Sequence, residues 1–306
     1  MSRNEPFHRL IVVGASGVIG SQLFSDAVAA RLNVVGTVCQ NIKSGFLFCN
    51  LHNQTVTNVI PDLGVGDCVY LLAANTDPKR IAENPAAARA LNVEATIASA
   101  STALDTGARV VFVSSDQVFD GDRGAYKEDD APNPLNLYGW QKVEVEDYLR
   151  SSSGNWCIVR TGWNVGWSQD QRCPVRNTYR SLLEPTARMA EDNIFSLTDV
   201  SDTSQALLLL AQGVGQEIWH VAAQPAISRT SLADAVIHHS RFGDGMAYAR
   251  VPMAEIPYKE PRPAHSSLTS TRFYDRFSLR FEDPLNVIER KVALLDSWFS
   301  EERVNS

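Results

Sequence analysis

No stretch of the 306-residue chain stays apolar for long. The longest purely apolar runs, such as Ala206–Ala211, fall far short of the ~20 residues that cross a bilayer. Met1–Arg9 is polar and leads into only four apolar residues, Leu10–Val13, too few for the core of an export signal. A cytoplasmic protein with no membrane contact is therefore expected. Cysteine is scarce. The five residues Cys39, Cys49, Cys68, Cys157 and Cys173 are odd in number, widely spaced and free of any C-x-x-C pair. That pattern excludes a disulfide framework and a structural zinc site, and it reads as free thiols in a reducing compartment. Positive charge is short as well, with 28 Lys and Arg against 35 Asp and Glu and a net charge of −7. With no basic block, nucleic acid is not an expected partner. The six histidines show no metal-ligand spacing, and neither G-x-S-x-G nor H-E-x-x-H occurs, which removes two hydrolase types. No metal is expected.

What is present is an ordinary globular composition, 44% hydrophobic and 21% charged. The length suits one large α/β unit, or a core with a smaller lobe. In the first half, short apolar runs alternate with helical periodicity. Leu10–Val13, Val34–Val38, Phe46–Phe48, Cys68–Leu72, Arg109–Ser114 and Trp156–Arg160 read as strands. Ile19–Arg31, Pro85–Thr106 and Tyr138–Ser151 read as helices. Strands alternating with helices predict parallel pairing, and strands apolar throughout predict a sheet covered on both faces. The fold class is thus α/β, a doubly wound parallel sheet, with its ligand site beyond the carboxyl ends of the strands. After Arg160 the pattern loosens. Thr203–Gln212 and Ile218–Val221 read as a helix and strand returning to the core. Ser231–Arg241 reads as a helix capped by Ser231, Pro252–Pro263 as loop and Leu285–Phe299 as a terminal helix. The expected division is 1–162 with 197–222 for a dinucleotide-binding domain, and 163–196 with 223–306 for a substrate-binding lobe.

Gly14-Ala15-Ser16-Gly17-Val18-Ile19-Gly20 joins the first strand to the first helix. Glycines spaced this way give a tight turn, a bare backbone for a pyrophosphate, and close helix–strand packing. The helix start supplies N–H groups and a positive dipole end for the phosphates. Gly14, Ser16, Gly17, Val18, Ile19 and Gly20 are therefore candidate cofactor contacts. The second strand ends Val38-Cys39-Gln40-Asn41, with no acid to hold the 2′-hydroxyl of NAD(H) and with Lys43 nearby. This leans toward NADP(H), with NAD(H) as the other option. Lys43 reads either as a 2′-phosphate contact or as a solvated loop residue.

Tyr138 and Lys142 are four residues apart at a helix start, so both face one side. A phenol near pKa 10 exchanges protons poorly at neutral pH, and a neighbouring ammonium favours its ionised form. Tyr138 can then act as acid or base at a carbonyl oxygen. Ser115, at the exit of the fifth core strand, reads either as a hydroxyl that bonds the same oxygen or as part of an ordinary serine-rich strand exit. In the lobe, Trp163, Trp167, Arg172 and Arg176 read either as a nucleobase stack with a pyrophosphate grip or as packing with surface charge.

Together these tracts resemble the extended short-chain dehydrogenase/reductase family, and within it the dTDP-4-dehydrorhamnose reductase branch. The similarity is carried by Gly14–Gly20, by Ala73-Ala74, by Asn92, and by Val113-Ser114-Ser115-Asp116-Gln117-Val118-Phe119-Asp120-Gly121. It continues through Glu128–Lys142, Ile158-Val159-Arg160-Thr161 and Arg262-Pro263-Ala264-His265-Ser266-Ser267-Leu268. The resemblance implies a Rossmann-like fold and a triad of Ser115, Tyr138 and Lys142. It places Ala73, Ala74 and Asn92 at the cofactor, and Asp116, Gln117 and Arg262 at the substrate. The implied activity is NAD(P)H-dependent reduction of a keto group on a nucleotide-linked deoxysugar, in a chain that can form a homodimer. A nucleotide-sugar epimerase with bound NAD, or a non-catalytic regulatory subunit, would keep the same fold. Gln117 stands where related 4,6-dehydratases carry a glutamate base, which argues against water elimination.

Overall fold

The computed structural model describes residues 8–39, 45–168, 173–213 and 215–304. The chain opens with β1 (Arg9–Val13), α1 (Val18–Ala29), β2 (Val34–Val38), β3 (Leu47–Phe48), α2 (Val56–Val59) and β4 (Asp67–Leu71). Next come α3 (Pro78–Glu83), α4 (Pro85–Arg89), α5 (Thr96–Asp105), β5 (Arg109–Ser115), α6 (Leu137–Ser151) and β6 (Trp156–Thr161). Then follow β7 (Trp163–Val165), α7 (Pro174–Leu182), β8 (Arg188–Ala190), β9 (Ile194–Phe195), β10 (Leu197–Asp199) and α8 (Val200–Leu210). The chain ends with β11 (Gln216–Val221), β12 (Ile227–Ser228), α9 (Arg229–His239), β13 (Ala249–Val251), α10 (Thr271–Arg276) and α11 (Pro284–Val304).

Seven strands form one sheet in the order β11-β6-β5-β4-β1-β2-β3, and every pair in it is parallel. Alternation along each strand divides the core in two. Leu10, Val12, Tyr70, Val111 and Val159 face Leu23 and Ala27 of α1 and Leu207 and Leu210 of α8. Ile11, Val13, Val69, Phe112 and Ile158 face Ala100 and Ala103 of α5 and Val145 and Leu149 of α6. β4, β5 and β6 are buried at every residue, as strands covered on both faces should be. The order reverses at β1, whose neighbours are β2 and β4, and that reversal marks the ligand crevice. No described helix is long and apolar enough to cross a membrane.

Three expectations change. The helix predicted over Pro85–Thr106 is broken by a π-helical segment, Ala90–Ala95, which turns Asn92 inward until it is 1% exposed. The helix predicted from Ser231 starts at Arg229, because Ser228 is the cap and its Oγ accepts the Ser231 N–H at 2.9 Å. Residues 223–306 do not pack as one lobe. Phe273 and Phe281 join the core beside Trp219, whereas α7, α9 and α11 enclose a separate cluster around Tyr179, Leu232, Val236 and Ile288. The burial of large aromatic side chains decided the first of these placements, and no periodicity in so short a helix announces it.

Candidate active site

A cavity of about 510 Å³ opens where the sheet meets the α7–α9–α11 cluster. Its sheet side carries Gly14, Gly17, Ala74, Ser115, Tyr138 and Lys142, and its other side Trp163, Asn177, Arg229 and Arg262. The volume lies in the range of small-molecule sites, and the position is the one expected for a doubly wound sheet.

The three glycines of the first turn are required for different reasons. Gly14 has φ +94°, and a Cβ there would lie 2.7 Å from the Ala73 backbone nitrogen across the switch point. At Gly20 a Cβ would overlap the Gly14 carbonyl oxygen. Gly17 has an ordinary φ of −73°, and its nearest neighbour to a Cβ is the Gly14 oxygen at 3.4 Å. Neither backbone nor packing demands glycine at that position, so the bare surface serves the cavity. The α1 start has no side-chain cap and no acid in its first turn, which keeps its N–H groups and positive dipole end available to an anion. This donor set fits the diphosphate of a dinucleotide. Gly17→Ala is expected to melt near the parent temperature and to lose dinucleotide affinity. Gly20→Ala should instead lose about 1–3 kcal/mol of stability through overpacking. Thermal melts with and without cofactor separate the two.

Ser115 ends β5 and caps the short turn Asp116–Val118. Its Oγ accepts the Gln117 N–H at 3.2 Å and donates to Asp116 Oδ1 at 2.9 Å. Asp116 Oδ2 also accepts Ser266 Oγ–H at 2.6 Å. Burial pushes the Asp116 carboxyl upward, against the hydrogen bonds from Ser266, Ser115 and Gln117. α6 begins at the same spot because Asn136 caps it, accepting the Gly139 N–H at 2.9 Å. A Cβ at Gly139 would overlap the Gln117 carbonyl oxygen, so glycine is what lets α6 sit on the turn that carries Ser115. Tyr138 and Lys142 then share the face over β5. Lys142 Nζ donates to the Val113 carbonyl at 2.8 Å and lies 5.6 Å from the Tyr138 ring centroid. Burial lowers the Lys142 pKa to about 8, opposed by the negative charge of Glu146. Burial first, and then the Asp116 charge, raise the Tyr138 phenol above its ordinary value, opposed by its hydrogen bond with Ser115.

Across the cavity, the Trp163 ring stacks on Phe195 at 4.7 Å, with the Arg229 guanidinium 4.5 Å from its centroid. Arg262 lies 4.3 Å from the Tyr258 ring centroid. Burial lowers the Arg229 pKa, Tyr258 opposes this, and the positive charge of Arg262 adds to it. Two guanidiniums close enough to feel each other, on one wall of a cavity, have the charge and donors to match a doubly charged anion such as a diphosphate.

The RmlD substrate binding domain model matches residues 8–292. The chain belongs to this family. It is 28% identical over 273 residues to dTDP-4-dehydrorhamnose reductase of Mycobacterium tuberculosis, covering 87% of this chain and 86% of the relative. It is 35% identical over 158 residues to methionine adenosyltransferase 2 subunit beta of Bos taurus, covering 51% of this chain and 47% of the relative. That match spans about half the length of the bovine protein. Among solved structures, dTDP-4-dehydrorhamnose reductase of Bacillus anthracis in complex with NADP shares the fold, with a TM-score of 0.77 and 22% identity over 92% of this chain and 98% of that one.

Within this RmlD-family chain, the expected site residues divide into those that line the cavity and those that do not. Gly14, Gly17, Val18, Ile19, Gly20, Ala74, Ser115, Asp116, Gln117, Tyr138, Lys142, Trp163 and Arg262 line it. Lys43 and Arg172 lie outside the described residues. Ser16 is exposed beside the turn, and Ala73 packs against Gly14 rather than lining the wall. Asn92 does not reach the cavity. Its amide accepts the Asn75 N–H at 2.7 Å and donates to the Asn75 carbonyl at 2.8 Å and to Gln141 Oε1 at 2.7 Å. It holds the β4 exit loop in place. Arg176 is off the wall too, because α7 presents Pro174 and Asn177 there instead. Its charge acts on buried Lys291, whose pKa it helps lower. Trp167 donates its indole N–H to Asp199 at 2.9 Å and packs beneath Arg290 at 4.7 Å, so it is committed to the α11 cluster. Arg229 and Gly139 were not foreseen. Only the Ser228 cap, which sets where α9 starts, could have brought Arg229 to notice.

Proposed function

We propose that this chain reduces a keto group on a nucleotide-linked deoxysugar, as a dTDP-4-dehydrorhamnose reductase-like enzyme that prefers NADPH. The observation that carries this is the meeting of Ser115, Tyr138 and Lys142 with the Gly14–Gly20 turn in one cavity. A bound nicotinamide cofactor supplies the hydride. Tyr138 delivers the proton to the carbonyl oxygen, and the Ser115 hydroxyl bonds that oxygen as charge develops on it. Lys142, held by the Val113 carbonyl, favours loss of the phenolic proton by its charge. Arg229 and Arg262 take the diphosphate of the sugar nucleotide, with Trp163, Asp116 and Gln117 around the remaining substrate. The core therefore holds the cofactor, and the α7–α9–α11 unit the substrate. The absence of an acid after Val38 supports NADPH over NADH.

The deciding assay follows oxidation of NADPH and NADH against a panel of nucleotide 4-keto-6-deoxy sugars. Turnover with at least one panel member, faster with NADPH, is expected. The identity to the bovine subunit beta favours one second reading, a regulatory subunit. Stable co-purification with a second enzyme, and no hydride transfer to any panel member, would select it instead.

A further inference from the structure

Two of the five cysteines directly follow paired strands of the sheet, Cys39 after β2 and Cys49 after β3. β2 pairs with β3 through Thr37↔Leu47 and Val38↔Phe48, and the Cys49 N–H donates to the Val38 carbonyl at 2.9 Å. One more step of that register sets Cys39 beside Cys49. Alternation puts both on one face, because Val38 faces the α1–α8 core and Cys49 the opposite core with Leu51 and Ile60. The Cys39 thiol lies 3.7 Å from Asn50 Oδ1, one residue beyond Cys49. Cys39 is exposed and Cys49 buried, and both are free thiols. Neighbouring strands run about 4.8 Å apart, within the Cα separation that a disulfide spans.

We propose that Cys39 and Cys49 form a reversible disulfide at the carboxyl end of β2, and that closing it weakens binding of the cofactor's adenosine end. The second half of that statement rests on the cofactor reading above, since the residues after β2 are those that meet the adenosine ribose in a doubly wound fold. The co-reactant is a low-molecular-weight disulfide such as oxidised glutathione. The Cys39 thiolate attacks one of its sulfurs, and a glutathione thiolate leaves. The Cys49 thiolate then attacks the Cys39 sulfur, and the second glutathione leaves. The protein loses two electrons and two protons, and the two glutathione thiols receive them. The exposed partner is the entry point. The buried one resolves the mixed disulfide, more slowly because burial raises its pKa. Exposed bridges are the labile kind, consistent with a switch rather than a permanent staple. By linkage, bound NADPH shifts the equilibrium toward the open dithiol form.

The test incubates the full chain with oxidised glutathione and reads intact mass, a Cys39–Cys49 bridged peptide, and NADPH affinity before and after dithiothreitol. A mass loss of about 2 Da, the bridged peptide and about tenfold weaker NADPH binding reversed by reductant are expected. C39S should be inert to the treatment, and C49A should stop at a glutathione adduct on Cys39. A wild-type chain that keeps both thiols, or stops at the adduct, overturns the bridge. A bridge with unchanged NADPH affinity overturns the coupling. Reduced protein that binds no NADPH at all speaks against the cofactor reading alone, because bridge formation is read by mass.

Discussion

Tyr138→Phe is expected to leave a folded protein that still binds NADPH but turns over about 10²- to 10⁴-fold more slowly. The substitution removes one hydroxyl and keeps the ring, so the packing of α6 on the Asp116–Val118 turn is retained. What disappears is the proposed proton donor and its hydrogen bond with Ser115. In the reductive direction the phenol must carry its proton. Without cofactor, burial and the Asp116 charge hold the phenol above its ordinary pKa, so it stays protonated throughout the neutral range. Loss of activity on raising the pH through about 8 should therefore report Lys142, not Tyr138, in kcat/KM. Steady-state rates and NADPH titration on the same preparation decide the matter. A variant that binds cofactor and keeps full turnover would remove Tyr138 from the chemistry.

The sheet side of this cavity could be read from residue order, and its opposite wall only in part, through Trp163 and Arg262. Gly14–Gly20, Ser115 and the Tyr138–Lys142 pair sit at strand exits and a helix start, where local rules govern backbone and side-chain direction together. The strands β2 and β5 fell within a residue of expectation for the same reason: continuous apolar runs bounded by turns have one comfortable arrangement in a covered sheet. The resemblance puts Asn92 at the cofactor, whereas its amide binds the Asn75 backbone, a role that depends on a π turn no periodicity announces. Arg229 and Arg176 show the opposite failure. Both are arginines on short helices of the lobe, and which one reaches the cavity depends on how α7 and α9 pack on α11. Such rotation is a tertiary outcome, settled by Tyr179, Leu232 and Ile288 rather than by the arginines.

Glu146→Ala is expected to cost about 3–5 kcal/mol of stability, the range for a buried ion pair that loses one partner. Glu146 and Arg160 are both 0% exposed and meet through two hydrogen bonds, at 3.0 and 2.7 Å. Ser114 Oγ donates to the same carboxylate at 2.6 Å and Arg150 at 2.7 Å. Without the carboxylate, Arg160 is left charged between the Phe119 ring and the Glu128 carbonyl, with no countercharge at contact distance among the described residues. Glu146→Gln keeps the shape and removes only the charge, so its loss should be smaller but still plain in a denaturant midpoint. The same carboxylate supports the charge on Lys142 one turn earlier in α6. Removing it should move the Lys142 titration below about 8, and the basic limb of kcat/KM should shift to lower pH. Lys142 has a folded pKa below its unfolded one. Below about 8 both states hold the proton and the full cost of burying the ammonium is present. From there to about 10.4 only the unfolded chain holds it, so the contribution of Lys142 to stability improves as pH rises. In Glu146→Gln that improvement should begin at lower pH than in the parent, and Lys142→Met should abolish it. A Gln variant with an unchanged midpoint and an unchanged basic limb would show that neither Arg160 nor Lys142 depends on this carboxylate.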